Sequence, residues 1–433
     1  MNSVIVQAWL HDVAMANHHP NTPSEGVDED GIENFDLDQT PVQRNTGLGV
    51  EAVALNTSTR SASSFPAVLA TRPVFSHQHS ADNSQPDDTS QRSSSPSKRF
   101  QKMASLRGLG VPVYFTQPAP GVMPADTMEL REALSAVEAK EALLPAVLRS
   151  HPDFQGDERI RRQTWLSDDD TCSAADRDAV LQNHGRLRDI VDESRESADV
   201  QRSEAAWNSH VHSNLLKHVT RHTQHLKFED ITSARIIPAF RPRLSSGKQA
   251  SSAASNTSGC GPTAALITSV HKMVDFALVM QEPWENQSIN QTLYEPLRTR
   301  PAPIFIETMT VSGTKESANV QLGIWIAAWR QRMRPIMALA GAEEEKLLTL
   351  PVIQVMDSAW SVSFVVDEGT HICIIDDYII GNTNSMLGIY QLQASMAALG
   401  AWVKDVFEPW FTKLLTRAVE NRGNPRAAGS SAF

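Results

Sequence analysis

Two acidic residues stand inside strongly apolar segments of the chain. Glu307 lies in IFIETMT and Asp275 lies in KMVDFALVM. A buried carboxylate is costly unless a cation or hydrogen-bond donors compensate it. On neighbouring strands the two groups would supply the oxygen ligands that Mg²⁺ or Mn²⁺ prefers. Such an ion can polarise a phosphate oxygen and activate water, which is the chemistry of phosphodiester hydrolysis.

Two further polar residues extend this set. Glu204 begins the segment SEAAWNSHVHSNLLKHV, whose apolar residues recur at helical spacing after a Ser203 N-cap. Gln321 begins the helical pattern that follows Glu307. We therefore expect Glu204 as a third acid at the same site. An acid of this kind taken alone is more typical of a salt bridge or an edge position, and it is the ordered set that favours a metal site.

The order of the elements predicts a mixed sheet with helices against it. Helices are expected at residues 127–149, 186–196, 203–219, 318–340 and 384–419, the last broken near Pro409. Strands are expected at residues 232–238, 272–280, 302–310, 350–357, 360–369 and 371–380. The last three strands read as a meander with a turn at residues 367–369.

The chain has 433 residues and a formal charge of -11, and its composition changes along its length. Residues 1–125 are rich in Ser, Pro and Asp and predict a disordered region, with a short helix at residues 4–13. Residues 126–420 predict one domain, and 421–433 a flexible tail. After residue 125 the chain carries a charge of about -7, so general polyanion binding is not expected. A local basic groove can still hold nucleic acid.

Cysteine usage and hydropathy predict an intracellular protein. The three cysteines lie far apart, without the paired spacing of a disulfide framework or a cysteine zinc site. We expect no signal peptide and no membrane span, because Asp12 interrupts the first apolar run and no apolar stretch reaches about 18 residues. Residues 95–102 (SPSKRFQK) read as a solvated basic turn or a weak nuclear-import patch, so nuclear and cytoplasmic locations both remain open. The sequence does not indicate an oligomeric state.

Taken together, the motifs resemble the PD-(D/E)XK nuclease-like proteins of the fungal type. The likeness covers residues 186–416 and rests on EAAWN, ARIIP, KMVDF, IET, QLGIW, NSMLGIYQ and VKDVFEPWF. It implies a restriction-endonuclease-like α/β fold, a mixed central sheet flanked by helices, and a metal-dependent hydrolase acting on DNA or another nucleic acid. It implies Asp275 and Glu307 as metal ligands, with Glu204 as the matching helix acid. Gln321 matches a polar residue that helps to hold metal or substrate.

The sequence departs from the pattern of this family at one position. The family has Glu-x-Lys, whereas this chain has Glu307-Thr308-Met309. The lysine normally stabilises negative charge that develops in the transition state, and methionine carries no charge. A cation from elsewhere is an alternative, with Lys315, Lys272 and Arg235 as candidates. The sequence thus predicts either a nuclease of weak or lost activity or an inactive module that binds nucleic acid or protein.

Two other patterns allow a functional and a structural interpretation. His218, His222 and His225 can share a helical face and bind zinc, or they can simply end a polar helix. The arginines of RQRMR (residues 330–334), with Arg241, Arg243 and Lys248, can contact phosphates. They can equally form a solvated face or pair with the acidic residues 343–345.

Overall fold

A computed structural model describes residues 103–117, 123–167, 173–221, 223, 225–245, 274–281 and 288–423. The predicted disordered residues up to 102, including the helix at 4–13, lie outside these described residues, as do residues 424–433 of the predicted tail. Among the described helices, none combines the length and the apolar character that a membrane span requires.

The described strands form one mixed sheet of seven strands in the order β1-β7-β6-β5-β4-β3-β2. They are β1 (Val113–Thr116), β2 (Leu226–Asp230), β3 (Phe276–Met280), β4 (Ile304–Met309), β5 (Leu350–Met356), β6 (Ala359–Asp367) and β7 (Ile372–Asn382). The β1–β7 and β4–β5 pairs are parallel and the other four are antiparallel. The predicted mixed α/β fold is confirmed.

Helices of different lengths pack against this sheet. They are α1 (Met103–Arg107), α2 (Met128–Glu138), α3 (Ala174–Asp199), α4 (Glu204–Trp207), α5 (Ser213–Thr220), α6 (Glu295–Arg298), α7 (Lys315–Leu339), α8 (Met386–Trp402) and α9 (Glu408–Gly423). Every residue of β3 and β4 is buried. Continuous burial of this kind requires cover on both faces of the sheet.

The two faces of the central strands can be identified from ring contacts. On one face, Phe305 of β4 meets Trp325 of α7 edge-on, with ring centroids 5.8 Å apart. On the other face, Trp360 of β6 meets His212, which follows α4, with centroids 5.5 Å apart. Helix α7 therefore covers the face of Phe305, and the α4–α5 segment covers the opposite face.

The α4 and α5 helices are joined by a π-helical turn, Asn208–His212. Ser203 caps α4 as predicted, since its hydroxyl accepts a hydrogen bond from the Ala206 N–H (3.4 Å). A second π-helical turn, Val403–Phe407, joins α8 to α9 directly before Pro409. This turn is the predicted break in the last helix, because a proline cannot donate the backbone hydrogen bond that a regular helix would need.

The first predicted strand, at residues 232–238, is wrong. The strand at this edge is β2, and Asp230 ends it by accepting hydrogen bonds from the Thr232 N–H (3.0 Å) and hydroxyl (2.7 Å). A turn and a short 3₁₀ segment at Pro238–Phe240 follow. The local turn made by an aspartate side chain thus overrides the β-branched pattern of the segment.

Other predicted boundaries also moved. Helix α2 ends at Glu138 rather than at 149, because Lys140 and Ala142 take positive φ angles of 59° and 46°. Helix α3 is longer than the predicted 186–196, since a Ser173–Asp176 capping box starts it early. Strand β1 precedes residue 126, the predicted start of the domain, and adds to the edge of the sheet through β7.

Candidate functional site

Asp275 lies at the entry to β3 and is fully buried. Its N–H donates to the Ile306 carbonyl (3.1 Å), and its own carbonyl accepts from the Ile231 N–H (2.8 Å). The backbone on both sides therefore fixes its position between β4 and the chain that follows β2.

Three donors surround the Asp275 carboxylate. Oδ1 accepts from Asn208 Nδ2 (3.2 Å), and Oδ2 accepts from the Thr308 N–H (3.0 Å). The Thr308 hydroxyl lies 2.8 Å from Asp275 Oδ2 and 2.8 Å from Asn208 Oδ1. Both oxygens of the buried carboxylate thus have hydrogen-bond donors. Asn208 owes its position to the π-helical turn that it begins.

Glu307 is equally buried but lies on the other face of β4. Side chains alternate along a strand, so Glu307 shares the face of Phe305, which α7 covers. Its register partner on β5 is Gln354, and Gln354 Nε2 donates to Asn319 Oδ1 of α7 (2.6 Å). Thr308, whose hydroxyl contacts Asp275, belongs to the opposite face. The Asp275 carboxylate therefore contacts a side chain of the face opposite to Glu307.

The other predicted site residues lie on the helices that cover the two faces of the sheet. Glu204 is half-buried and lies one helical turn before Asn208, on the side of Asp275. Gln321 is half-buried on α7, two residues after Asn319, on the side of Glu307. Met309 is buried, 5 % exposed, at the end of β4.

The candidate replacements for the missing lysine also have positions in the fold. Lys315 is exposed and begins α7, after the turn that follows β4. Arg235 is exposed, and its Nη1 donates to the Ala234 carbonyl (3.1 Å). Lys272 lies outside the described residues.

The oxygen donors of the predicted site are of the right chemical type for Mg²⁺ or Mn²⁺. Among the described residues, one set of three histidine or acidic ligands has its atoms all within 4.8 Å of one another. That set is His151, Asp153 and His184, and it includes none of the predicted metal ligands. Within the part of the chain that the structure describes, Asp275, Glu307 and Glu204 thus do not form a three-ligand group of this compactness.

The arginines of RQRMR have structural partners. Arg330 Nε (2.9 Å) and Arg334 Nη2 (2.6 Å) both donate to Asp367 Oδ2 at the end of β6. Arg334 Nη1 also reaches the Glu343 carbonyl (3.2 Å). Arg332 is buried over the Phe240 ring, and burial lowers its pKa to about 10. These contacts join α7 to β6, so they favour the structural interpretation over phosphate binding.

The predicted histidine cluster is only partly described. His218 is buried, and its Nε2 lies 2.8 Å from Asn183 Oδ1 on α3. His222 lies outside the described residues. The set that does converge, His151, Asp153 and His184, was missed because His184 lies 33 residues after His151 in the chain. The His-x-Asp spacing at residues 151–153 is the only local signal for it.

Comparison with known proteins identifies a family. The family model described as the PD-(D/E)XK nuclease superfamily matches residues 150–408, more than half of the chain. No curated protein and no solved structure matches the chain. The match includes every predicted site residue, while β1 lies before it.

Proposed function

Because the chain belongs to the PD-(D/E)XK nuclease superfamily, we propose that it is a nuclease-fold protein whose phosphodiester cleavage step is weak or lost. The observation that carries the proposal is the buried Asp275 carboxylate, whose two oxygens already accept hydrogen bonds from Asn208 and Thr308. Met309 adds a second reason, since a buried thioether cannot stabilise the negative charge of a phosphoryl transition state.

A divalent ion would supply two things to cleavage at such a site. It would polarise the phosphate and lower the pKa of a bound water. Asp275 and Glu307 are the groups of this chain that would hold it, and Asp275 would first have to give up its contacts with Asn208 and Thr308. Loss of these hydrogen bonds would weaken binding of the ion, so we expect little or no hydrolysis.

Cleavage of supercoiled plasmid and of single-stranded DNA in Mn²⁺ tests the proposal. Wild type, Glu307→Ala and Met309→Lys are compared at equal concentration, with circular dichroism to verify folding. We expect wild type to equal Glu307→Ala within the background of the assay. Rapid multiple-turnover cleavage by wild type that disappears in Glu307→Ala would overturn the proposal. A gain in Met309→Lys alone would support it and assign the loss to the missing lysine.

We propose further that the protein binds nucleic acid through a cationic cleft at the end of α5. This cleft has a volume of about 630 Å³ and includes Lys217, Arg221 and Lys227 with Phe228. None of the described residues that line it is acidic. Three cations beside an aromatic ring suit a phosphate backbone with a stacked base.

The cleft proposal has a direct test in fluorescence anisotropy with labelled single-stranded and double-stranded oligonucleotides. Three phosphate contacts should weaken single-strand binding roughly 20-fold between 50 and 200 mM salt. A variant with Lys217, Arg221 and Lys227 changed to Ala should lose most of this salt dependence. Lys413→Ala, which removes an exposed lysine of α9, is the matched control. Equal affinity of the triple variant and the control would refute the cleft as the binding surface.

A further inference from the structure

A second group of metal-ligand side chains lies apart from the nuclease acids. His151 and Asp153 flank Pro152, where a short 3₁₀ turn begins, and His184 projects from α3. Asp153 Oδ2 lies 3.0 Å from His184 Nε2 and 3.6 Å from His151 Nδ1. Two imidazole nitrogens thus approach one carboxylate oxygen.

These distances agree with the coordination shell of zinc. Ligands at about 2.0–2.1 Å from a tetrahedral zinc ion lie roughly 3.3 Å from one another. The two measured separations, 3.0 and 3.6 Å, bracket that value. All three ligand atoms lie within 4.8 Å of one another, so adjustment of the side chains can bring them to one ion.

The surroundings of His184 favour its use as a ligand. The ring is buried beside Phe154, and its second nitrogen, Nδ1, lies 3.2 Å from the Tyr390 hydroxyl of α8. Such a partner fixes the ring orientation and the tautomer of a metal-binding histidine. Burial lowers the pKa of His184, against an opposing hydrogen bond to Asp153, and so favours the neutral imidazole.

Besides the hydrogen bond between His184 Nε2 and Asp153 Oδ2, two contacts compete with an ion at this site. The Asp153 N–H donates to His151 Nδ1 at 3.3 Å, a long hydrogen bond that coordination would replace. Arg188 Nε lies 3.8 Å from Asp153 Oδ2, and its charge disfavours a second cation. The Arg188 side chain is 54 % exposed, however, so it can turn towards solvent.

A cavity of about 180 Å³ lies beside this group, and Asp153 is the one proposed ligand among its lining residues. Arg159, Arg188 and Arg195 also line it. We propose that His151, Asp153 and His184 bind a zinc ion.

Zinc retention by the full chain tests this site. The protein is stripped with a chelator, incubated with zinc sulfate, desalted and measured by elemental analysis, and its affinity is obtained by competition with a chromogenic chelator. We expect one zinc ion per chain. His151→Ala and Asp153→Asn should each weaken binding by more than about 100-fold, since loss of a mere supporting partner costs 10–100-fold. His151 is partly exposed, so its variant is expected to fold even if Asp153→Asn does not.

Three further variants distinguish this site from its rivals. Tyr390→Phe should weaken zinc binding by about 10-fold, and Arg188→Gln should strengthen it because a competing cation is removed. His225→Ala, in the histidine-rich segment after α5, should leave it unchanged. Wild type that retains no zinc, or His151→Ala with unchanged zinc affinity, would overturn the proposal. Zinc lost in His225→Ala but kept in His151→Ala would overturn it equally.

Discussion

Protonation of His212 should destabilise the fold strongly at mildly acidic pH. The ring is 1 % exposed, stacks on Trp207 with centroids 5.6 Å apart, and meets Trp360 edge-on. Burial lowers its pKa from 6.5 to about 3. The unfolded chain therefore binds a proton at pH values where the folded protein does not.

The sign and size of the effect follow from this difference. Between pH 6.5 and about 3 the unfolded state binds more protons, so the free energy of unfolding falls as the pH falls. At pH 7 the loss attributable to His212 is small. At pH 5 it is about 2 kcal/mol, at 1.36 kcal/mol for each pH unit below the unfolded pKa.

Urea unfolding at pH 7 and pH 5, followed by tryptophan fluorescence, measures this loss. Glutamine does not titrate, so His212→Gln is the control. The substitution itself changes the free energy of unfolding equally at both pH values, so the change between pH 7 and pH 5 can be compared between the two proteins. We expect wild type to lose about 2 kcal/mol more than the variant between the two pH values. An equal loss in both proteins would refute the assignment to His212.

Two further substitutions should lower stability by known mechanisms, measured as the free energy of unfolding. Asp367→Asn should cost about 2 kcal/mol, because Arg330 and Arg334 lose the carboxylate that they share. The cost should stay below the 3–5 kcal/mol of a fully buried pair, since both arginines remain partly solvated. A change under about 0.5 kcal/mol would contradict this explanation. Gly381→Ala should cost more than about 3 kcal/mol, since its φ is +137° and a Cβ would lie 2.5 Å from a carbonyl oxygen of α8. Gly369 has a φ of +79° and open space around it, so Gly369→Ala should cost only about 1 kcal/mol. Equal costs for the two glycine substitutions would refute the steric explanation.

The central strands and long helices could be predicted because their apolar patterns are long and regular. The meander of β5, β6 and β7 agrees with the sequence, as do the Ser203 cap and the break before Pro409. The errors have local causes that apolar periodicity does not report. An aspartate turn replaced a predicted strand after β2, and two residues with positive φ shortened α2.

The candidate site was predictable in its residues but not in its geometry. Two acids in apolar strands stand out in a sequence, and both proved to be buried. Which way the Asp275 carboxylate points depends on Asn208, 67 residues earlier, and on the π-helical turn that holds it. The His151–Asp153–His184 group likewise depends on packing between segments distant along the chain.

Anomalous diffraction from crystals grown with Mn²⁺ would test most directly whether Asp275 and Glu307 hold an ion. We expect no manganese peak between these two carboxylates, with Asp275 still bound to Asn208 and Thr308. A peak ligated by both Asp275 and Glu307 would contradict the proposal that this site does not support efficient cleavage.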